Sequence, residues 1–350
     1  MPKIRALYEL SNIFDENFQM KRILGIGNAL VDIMTLIEGD FILQEFKLPK
    51  GSMQLVDLET SRGIKSATAI FPRTYTSGGS AANTIHGLAM LGADTGFIGS
   101  IGRDDTGDFF ENDMKNAGVS TLLIRRNTPT GTAVALITRD TERTFATHLG
   151  AATELSAEDF NPELFEGFDI LYLEGYLITD FQVIETACRL ARDNKMLVAL
   201  DLSSYNVVEG FKDQFKEIIE KYVDILFANE LEAKAFTGLD PEKALTPLSE
   251  MVEIVILKVG SAGSWIKCRE ESIRINAFPV NCLDTTGAGD LYAAGFLYGF
   301  SMGLGLEKCG SLGSLLAGRV IETVGARMDR EKFTEIKHEI LTILEDKLDI

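Results

Sequence analysis

The sequence has few of the side chains that build disulfide scaffolds and metal centres. Its four cysteines stand far apart along the 350 residues, and no two of them have C-x-x-C spacing. Its three histidines, His86, His148 and His338, are also widely separated. Zinc sites and disulfide frameworks show as closely spaced patterns, and none is present. Because disulfides are rare in reducing compartments, this cysteine usage favours free thiols and a cytoplasmic protein.

The chain is also short of positive charge. It has 34 Lys and Arg against 52 Asp and Glu, which gives a formal net charge of −18. Binding along a nucleic-acid backbone usually needs a basic face, so neither nucleic acid nor an anionic membrane is the expected partner. One cluster of main-chain N–H groups can still hold a phosphate in an acidic protein, so the charge leaves phosphorylated substrates open.

Long apolar runs are missing as well. A membrane-spanning helix needs roughly 20 predominantly apolar residues, and the apolar stretches here are much shorter. The first 19 residues contain acidic residues that interrupt any apolar core, so no secretory signal is predicted. Residues 1–19 are either a native extension or lie upstream of a true start at Met20, and the sequence leaves both open.

What is present is an alternation of short apolar runs with longer segments of helical spacing. The runs predict strands at 23–26, 30–37, 53–57, 97–101, 132–138, 142–148, 169–173, 196–201, 224–228, 253–259, 264–268 and 273–278. The longer segments predict helices at 81–91, 105–117, 180–193, 210–221, 230–237, 287–302, 306–324 and 331–346. Alternating strands and helices predict an α/β fold with a parallel sheet covered on both faces. The pieces at about 30–57 and 132–148 break the alternation and predict a small β lid.

The sharpest functional signal is the segment Asp284-Thr-Thr-Gly-Ala-Gly-Asp290, which follows a predicted strand and opens a long helix. Small residues at a helix N-terminus leave several N–H groups exposed, and the helix dipole adds positive potential there. That arrangement suits a transferring phosphoryl group, and Asp290 could accept a hydroxyl proton beside it. The alternative is a tight glycine turn with Asp290 as a helix cap.

Two further segments place polar groups beside glycines. Ser77-Gly-Gly-Ser-Ala-Ala-Asn83 precedes a predicted helix, and its paired glycines allow a ligand close to the backbone. Asn28 and Asp32 follow the first strand, where ligands bind in doubly wound sheets. Gly25 and Gly27 do not make a dinucleotide fingerprint, because the third glycine and the following helix are missing.

In their order along the chain, these segments resemble the ribokinase-like (PfkB) kinases. The Gly-Gly…Asn segment at 78–83 and the DTTGAGD segment at 284–290 match the two signatures of that family. Further agreement lies at 27–33, 130–137, 142–144, 173–177, 229–232 and 258–263, so the resemblance covers about residues 21–330. Within the family the chain looks most like the adenosine-kinase-like branch. The resemblance implies a three-layer α/β/α domain at 20–350, with a small β-sheet lid inserted from about 30–57 and 132–148.

The resemblance also implies an activity and the residues that carry it. The activity is ATP-dependent phosphorylation of a primary hydroxyl on a nucleoside or sugar, with adenosine favoured and Asp290 as general base. The implied anion hole is formed by the N–H groups of Gly287, Ala288 and Gly289. The implied acceptor contacts are Asn28, Asp32, Gln54, Gly78, Gly79, Asn83, Glu174 and Tyr176. The implied nucleotide contacts are Asn229, Lys258, Gly260, Ser261, Gly263 and Arg143. Glu232 and Asn229 would organise Mg²⁺ through water, and Asp284 is a candidate ligand of K⁺.

Several alternatives stay open at this point. Asn229 could be only a helix cap, and Arg143 only an exposed hairpin arginine. The chain departs from the adenosine-kinase pattern at Asp201-Leu-Ser203 and at Tyr205-Asn206, so a more polar pocket for a sugar or sugar phosphate is the rival specificity. The third hypothesis, behind the two kinase specificities, is a non-catalytic protein that senses a nucleoside or sugar. Monomer and homodimer are both compatible with the sequence.

Overall fold

The computed structural model describes residues 20–140 and 142–345. The strands are β1 (Ile23–Ile26), β2 (Leu30–Leu36), β3 (Met53–Leu55), β4 (Arg73–Gly78), β5 (Thr95–Gly102), β6 (Ser120–Arg126), β7 (Thr130–Ile137), β8 (Arg143–Gly150), β9 (Ile170–Glu174), β10 (Leu197–Asp201), β11 (Ile225–Asn229), β12 (Ile254–Lys258), β13 (Ser264–Cys268) and β14 (Glu271–Ile275). The helices are α1 (Phe41–Glu45), α2 (Leu58–Ala67), α3 (Ser80–Leu91), α4 (Asp105–Ala117), α5 (Phe181–Asp193), α6 (Tyr205–Gly210), α7 (Lys212–Tyr222), α8 (Glu230–Thr237), α9 (Pro241–Met251), α10 (Ala288–Ser301), α11 (Leu306–Val320) and α12 (Arg330–Glu345). The question of residues 1–19 lies outside the described residues.

Nine strands form one large sheet in the order β14-β13-β12-β11-β10-β9-β1-β5-β6. The strands from β12 to β6 pair in parallel, and only β13 and β14 pair antiparallel at one edge. Successive strand residues enter different cores: Ile23 packs with α3 and α10, whereas Leu24 packs with α5 and α7. Helices therefore cover both faces, and the predicted α/β fold is confirmed.

A second sheet of five strands has the order β3-β8-β7-β2-β4. Strands β7 and β8 form the antiparallel hairpin that the sequence predicts. Strand β4 was not predicted, because it lies at the edge of this sheet and its outer residues are partly exposed and polar. Strand β6 also escaped prediction, since it closes the edge of the large sheet and has no fully buried residue: Ser120 is exposed and the other six residues are half-buried. Edge strands carry a weaker hydrophobic pattern than buried ones.

No helix among the described residues is long and apolar enough to cross a membrane.

Candidate active site

The site lies at the point where the large sheet reverses its strand order. From the central strand β1 the chain continues to β5 and β6 on one side, and later from β9 to β12 on the other. Ligands of open α/β sheets bind beyond the carboxyl ends of the strands at such a switch point. Strands β1 and β9 are direct neighbours, with Ile26 paired to Leu173, so Asn28 and Glu174 meet at their carboxyl ends.

Glu174 fixes the geometry of this switch point. Its Oε1 accepts hydrogen bonds from the main-chain N of Asn28 at 2.9 Å and from the Nδ2 of Asn28 at 2.6 Å. Its Oε2 accepts a bond from the N of Ala81 at 2.8 Å. Burial raises the pKa of the Glu174 carboxyl to about 7, although these bonds oppose the shift. The carboxylate therefore ties the end of β1 to the first turn of α3.

Asp290 lies in the first turn of α10, as the sequence predicts, and faces the N-terminus of α3. Its Oδ1 accepts a hydrogen bond from Ser80 Oγ at 2.7 Å, and its Oδ2 accepts one from Asn83 Nδ2 at 2.9 Å. Burial raises the pKa of Asp290 to about 6, while the bonds from Asn83 and Ser80 lower it. The Oδ1 of Asn83 is buried and has no hydrogen-bond partner in the described chain. Two helix N-termini therefore meet at one carboxylate.

The loop before α10 presents the predicted anion-binding N–H groups. The cap of this helix is Gly287, with φ of 77°, rather than Asp290. A Cβ added there would lie 2.6 Å from the Cβ of Ala326, so a side chain would not fit. The N–H of Ala288 donates to the carbonyl of Thr285 at 3.2 Å. Those of Gly287 and Gly289 have no partner within the described residues, so they are the free donors of the three.

Asp32 and Arg327 flank the Gly78-Gly79 turn. The Asp32 carboxylate covers Gly78 so closely that an added Cβ would overlap it. Burial raises the pKa of Asp32 to about 6, and the charge of Arg327 counteracts that shift. Arg327 donates from Nε to Ser77 O and from Nη2 to Ser77 Oγ, both at 2.8 Å. The sequence analysis did not single out Arg327, whose only signal was a basic residue in a Gly-Ala-Arg segment after α11.

A buried lysine lies beside the anion-binding loop. Lys258, at the end of β12, forms an ion pair with Asp201, at the end of β10, with 2.7 Å between Nζ and Oδ2. The side chains of Lys258 and Asp201 are only 14% and 4% exposed. Asp201 is therefore not an open pocket residue, which corrects the expectation that it would bind a polar acceptor. Burial alone would lower the pKa of Lys258, but Asp201 and Glu232 attract its charge and the net shift is upward.

Asn229 and Glu232 form a reciprocal cap at the start of α8. Asn229 Oδ1 accepts bonds from the N–H groups of Leu231 and Glu232 at 2.9 Å. The Glu232 carboxylate accepts from the N and Nδ2 of Asn229 at 2.8 and 2.7 Å. The capping alternative thus describes what these side chains do in this structure. Burial and then the charge of Asp201 raise the pKa of Glu232 to about 7.

Arg143 reaches the anion-binding loop from the small sheet. It begins β8 and forms an ion pair with Asp284, and neither side chain is more than 11% exposed. Asp284 Oδ1 also accepts bonds from the N and Oγ1 of Thr286, and its Oδ2 accepts one from the N of Gly325 at 2.5 Å. The alternative of an exposed hairpin arginine is therefore wrong, and both oxygens of Asp284 already have partners.

The predicted nucleotide turn lies between β12 and β13. Gly260–Ala262 form one turn of 3₁₀ helix, with Ser261 exposed to solvent. Gly263 has φ of 89°, and an added Cβ there would overlap the carbonyl oxygen of Ile275. The turn is therefore open on one side and held tightly against β14 on the other.

A cavity of about 680 Å³ opens between the small sheet and the switch point. It reaches Asn28, Gly79, Ser80 and Glu174 at its inner end. Its apolar walls are Leu30, Met53, Leu55, Leu149, Leu155, Tyr176, Leu177, Val183 and Val207. Gln54 does not line it, because neighbouring residues of a strand face opposite sides, and its amide donates to Ser52 Oγ at 3.1 Å. The cavity is thus mainly apolar, and its polar lining residues include Ser80, which donates to Asp290, as well as Thr179, Asp180, Ser204 and Asn206.

Comparison with known proteins assigns this arrangement to a family. The model of the pfkB family carbohydrate kinases matches residues 53–332. The chain belongs to the PfkB kinase family. Its fold superposes on the solved adenosine kinase from Sinorhizobium meliloti with a TM-score of 0.82 and 34% identity, covering 92% of this chain and 100% of that one. A probable sugar kinase from Rhizobium etli gives a TM-score of 0.83 and 33% identity, covering 92% of this chain and 99% of that one. The adenosine kinase of Saccharomyces cerevisiae is 28% identical over 89% of this chain and 98% of its own length.

As a PfkB kinase, the protein is an ATP-dependent phosphotransferase, which confirms the enzyme class that the sequence predicts. Its relatives carry the names of both adenosine kinases and sugar kinases, so the family alone does not name the acceptor.

Proposed function

We propose that this PfkB kinase transfers the γ-phosphoryl group of ATP to a primary hydroxyl of a nucleoside, with adenosine as the favoured acceptor. The observation that carries the proposal is the cavity of about 680 Å³, whose inner end reaches Ser80 beside Asp290 and whose walls are largely aliphatic. A free sugar would leave most of this apolar wall uncovered. A base attached to the sugar would bury it, and stacking beside Tyr176 would add about 1 kcal/mol.

The charges around the cavity argue against a sugar phosphate. In the part of the chain that the structure describes, no lysine, arginine or histidine lines the cavity, whereas Glu174 and Asp180 do. A phosphate on the acceptor would need donors or positive charge at its binding site. An uncharged acceptor fits these walls better.

A free sugar is the second candidate. Thr179, Asp180, Ser204 and Asn206 give one side of the cavity a polar edge that could bind hydroxyl groups. Asn206 is also one of the residues at which the sequence departs from the adenosine-kinase pattern, and this departure favours the second candidate.

The proposed mechanism uses Asp290 as the general base. Asp290 takes the proton from the primary hydroxyl, and the resulting oxygen attacks the γ-phosphorus in line. Asp32 has an elevated pKa and lies beside the Gly78-Gly79 turn, where it can bind sugar hydroxyls. The buried Oδ1 of Asn83 has no partner in the described chain, so it can accept a hydrogen bond from a hydroxyl group of the substrate. That bond would remove the free-energy cost of a buried oxygen without a partner.

Charge on the transferring group is stabilised at the N-terminus of α10. The N–H groups of Gly287 and Gly289 have no partner within the described residues and can bind phosphate oxygens. Mg²⁺ would neutralise part of the phosphate charge when it is bound. Among residues 20–140 and 142–345, no group of three acidic, histidine or cysteine side chains could hold a metal ion directly. Glu232, a buried carboxylate at the start of α8, fits a role that acts on Mg²⁺ through water.

The proposal is tested by measuring ADP formation with Mg²⁺ and adenosine, inosine, ribose, fructose or fructose 6-phosphate as acceptor. We expect the highest kcat/KM with adenosine and none above background with fructose 6-phosphate. Preference for ribose or fructose would keep the kinase reaction and support the second candidate. Preference for fructose 6-phosphate would contradict the argument from the missing basic residues.

The ion pair of Arg143 with Asp284 predicts how the enzyme responds to potassium. The Asp284 carboxylate, which the family resemblance suggests as a K⁺ ligand, already pairs with Arg143 and accepts hydrogen bonds from Thr286 and Gly325. This arrangement does not fit a K⁺ ion at Asp284. We expect equal kcat in KCl and NaCl at matched ionic strength. The Arg143→Met variant, which removes the competing charge, should acquire a preference for K⁺. Activation of the unaltered protein by K⁺ would show that Arg143 leaves Asp284 during turnover.

A further inference from the structure

Lys258 stands out because its buried ammonium group has more hydrogen-bond donors than partners among residues 20–140 and 142–345. An ammonium group has three donors, and one of them is directed to Asp201 at 2.7 Å. The side chain remains 14% exposed, so part of it is open to a ligand. A lysine is rarely buried unless its charge is matched on every side.

The position of Lys258 relative to α10 indicates where the open donors lie. A Cβ added to Gly289 would be 3.1 Å from Lys258 Nζ, so the ammonium lies beside Gly289, whose N–H group has no partner within the described residues. The carboxylates of Glu232 and Asp290 also contribute to the field that attracts Lys258. The ion pair with Asp201 fixes the position of the Lys258 ammonium.

We propose that Lys258 is a catalytic residue that donates a hydrogen bond to the transferring γ-phosphoryl group, with Asp201 as the residue that positions it. This inference rests on the proposed kinase mechanism and extends it. Negative charge on the phosphoryl oxygens is shared between a fixed ammonium and the N–H groups of Gly287 and Gly289. Preorganised donors of this kind stabilise charge without reorganisation at the moment of reaction. The ammonium keeps its proton throughout, so no bond to Lys258 is formed or broken.

The competing interpretation is that Lys258 only balances the buried charge of Asp201. Removing one partner of a buried ion pair destabilises the protein, so Lys258→Met alone cannot separate the two interpretations. The double variant Asp201→Asn/Lys258→Met removes both charges of this ion pair together. The single variant Asp201→Asn keeps the ammonium and is its matched comparison. Lys267→Met, at a half-buried lysine on the neighbouring strand β13, controls for loss of a lysine elsewhere.

The decisive measurement is nucleotide binding without an acceptor, by calorimetry with Mg²⁺ and a non-hydrolysable ATP analogue or ADP. We expect the double variant to lose roughly ten- to a hundredfold in affinity for the ATP analogue, which is the range of a charge-assisted hydrogen bond. Its affinity for ADP, which has no γ-phosphate, should stay close to that of the unaltered protein. Lys267→Met should keep the full preference for the ATP analogue, and Asp201→Asn, whose amide oxygen can still accept a hydrogen bond from Lys258, should keep part of it. Equal losses for both nucleotides, or an unchanged preference in the double variant, would overturn the proposal.

Turnover supplies the second readout. With the best acceptor of the panel, the double variant should lose roughly a hundred- to a thousandfold in kcat, the range for removal of one donor to a developing anion. In the double variant Asp201→Asn/Lys258→Ala, which leaves more space at position 258, added ethylammonium should restore part of the lost kcat. A double variant with normal kcat would overturn the role of Lys258 and leave the kinase function intact. Absence of turnover in the unaltered protein would instead contradict the proposed function, while the binding comparison would still test Lys258.

Discussion

Asp290→Asn is expected to lower kcat by at least about a hundredfold, the scale of the loss of a general base, while the protein stays folded. The new amide has the shape of the carboxylate, so the local bonds can be kept. Asn83 Nδ2 can donate to its oxygen, and its own NH₂ group can donate to Ser80 Oγ, which now donates to Asp290. A loss of kcat in this variant therefore reports on proton transfer rather than on misfolding.

The raised pKa of Asp290 makes the same substitution informative about stability. The folded carboxyl has a pKa of about 6, above its ordinary value near 4, so the folded protein binds this proton more tightly than the unfolded chain. Stability is therefore lost as the pH rises from about 4 to about 6, by at most roughly 3 kcal/mol. Asp290→Asn should raise the melting temperature at pH 8, and the gain should shrink below pH 6 and disappear below about pH 4, where the carboxyl is protonated in both the folded and the unfolded chain.

Two measurements check this prediction. Steady-state kcat of the unaltered protein should fall as the pH decreases through about 6, because the base must be ionised. Asp32, Glu174 and Glu232 also have raised pKa values, so the acid limb belongs to the coupled set rather than to one group. A variant that retains near-normal kcat would remove Asp290 from the role of base. Equal melting temperatures at pH 8 would contradict the cost assigned to its burial.

Local sequence signals predict much of the fold, and they do so best where burial is complete. Strands β9 to β12 are continuous apolar runs because both of their faces are covered, and all four were predicted. The edge strands β4 and β6 and the short helix α1 carry no such run and were missed. A half-exposed element takes its stability from neighbours that are distant in sequence, so its own residues carry little of the signal.

The same distinction holds in the site. The glycine-rich segments were visible because their conformation is local: Gly287 needs a positive φ and lies against Ala326. The ion pairs and long-range hydrogen bonds were not visible, because they join residues that are far apart in the chain. Lys258 and Asp201 are 57 positions apart, and Arg327 lies 250 positions from its partner Ser77. Asp201 was accordingly interpreted from its sequence context as an open polar residue, whereas its partner on β12 decides what it does.

Gly79→Ala is the substitution from which we expect the second large effect, because Gly79 joins the small sheet to the active-site helix α3. Gly79 is the N-cap of α3, with φ of 101° and ψ of 139°, a region that only glycine adopts at low cost. An added Cβ would overlap the main-chain carbonyl oxygen of Asn28, which cannot turn away as a side chain would. The substitution must therefore move β1 away from α3, and with it Asn28 and Ser80. We expect a loss of roughly 3 kcal/mol in stability and roughly a hundredfold in kcat/KM for the acceptor.

Gly92→Ala provides the matched control at the other end of the same helix. Gly92 has φ of 105°, close to that of Gly79, but no atom lies within 4 Å of an added Cβ. It should cost about 1 kcal/mol through backbone strain alone and leave kcat/KM unchanged. Chemical denaturation and acceptor kinetics of the two variants separate strain from overlap, since only Gly79→Ala has both. If both variants lost the same stability and both kept full kcat/KM, the contact of Gly79 with Asn28 would not set the geometry of the acceptor site.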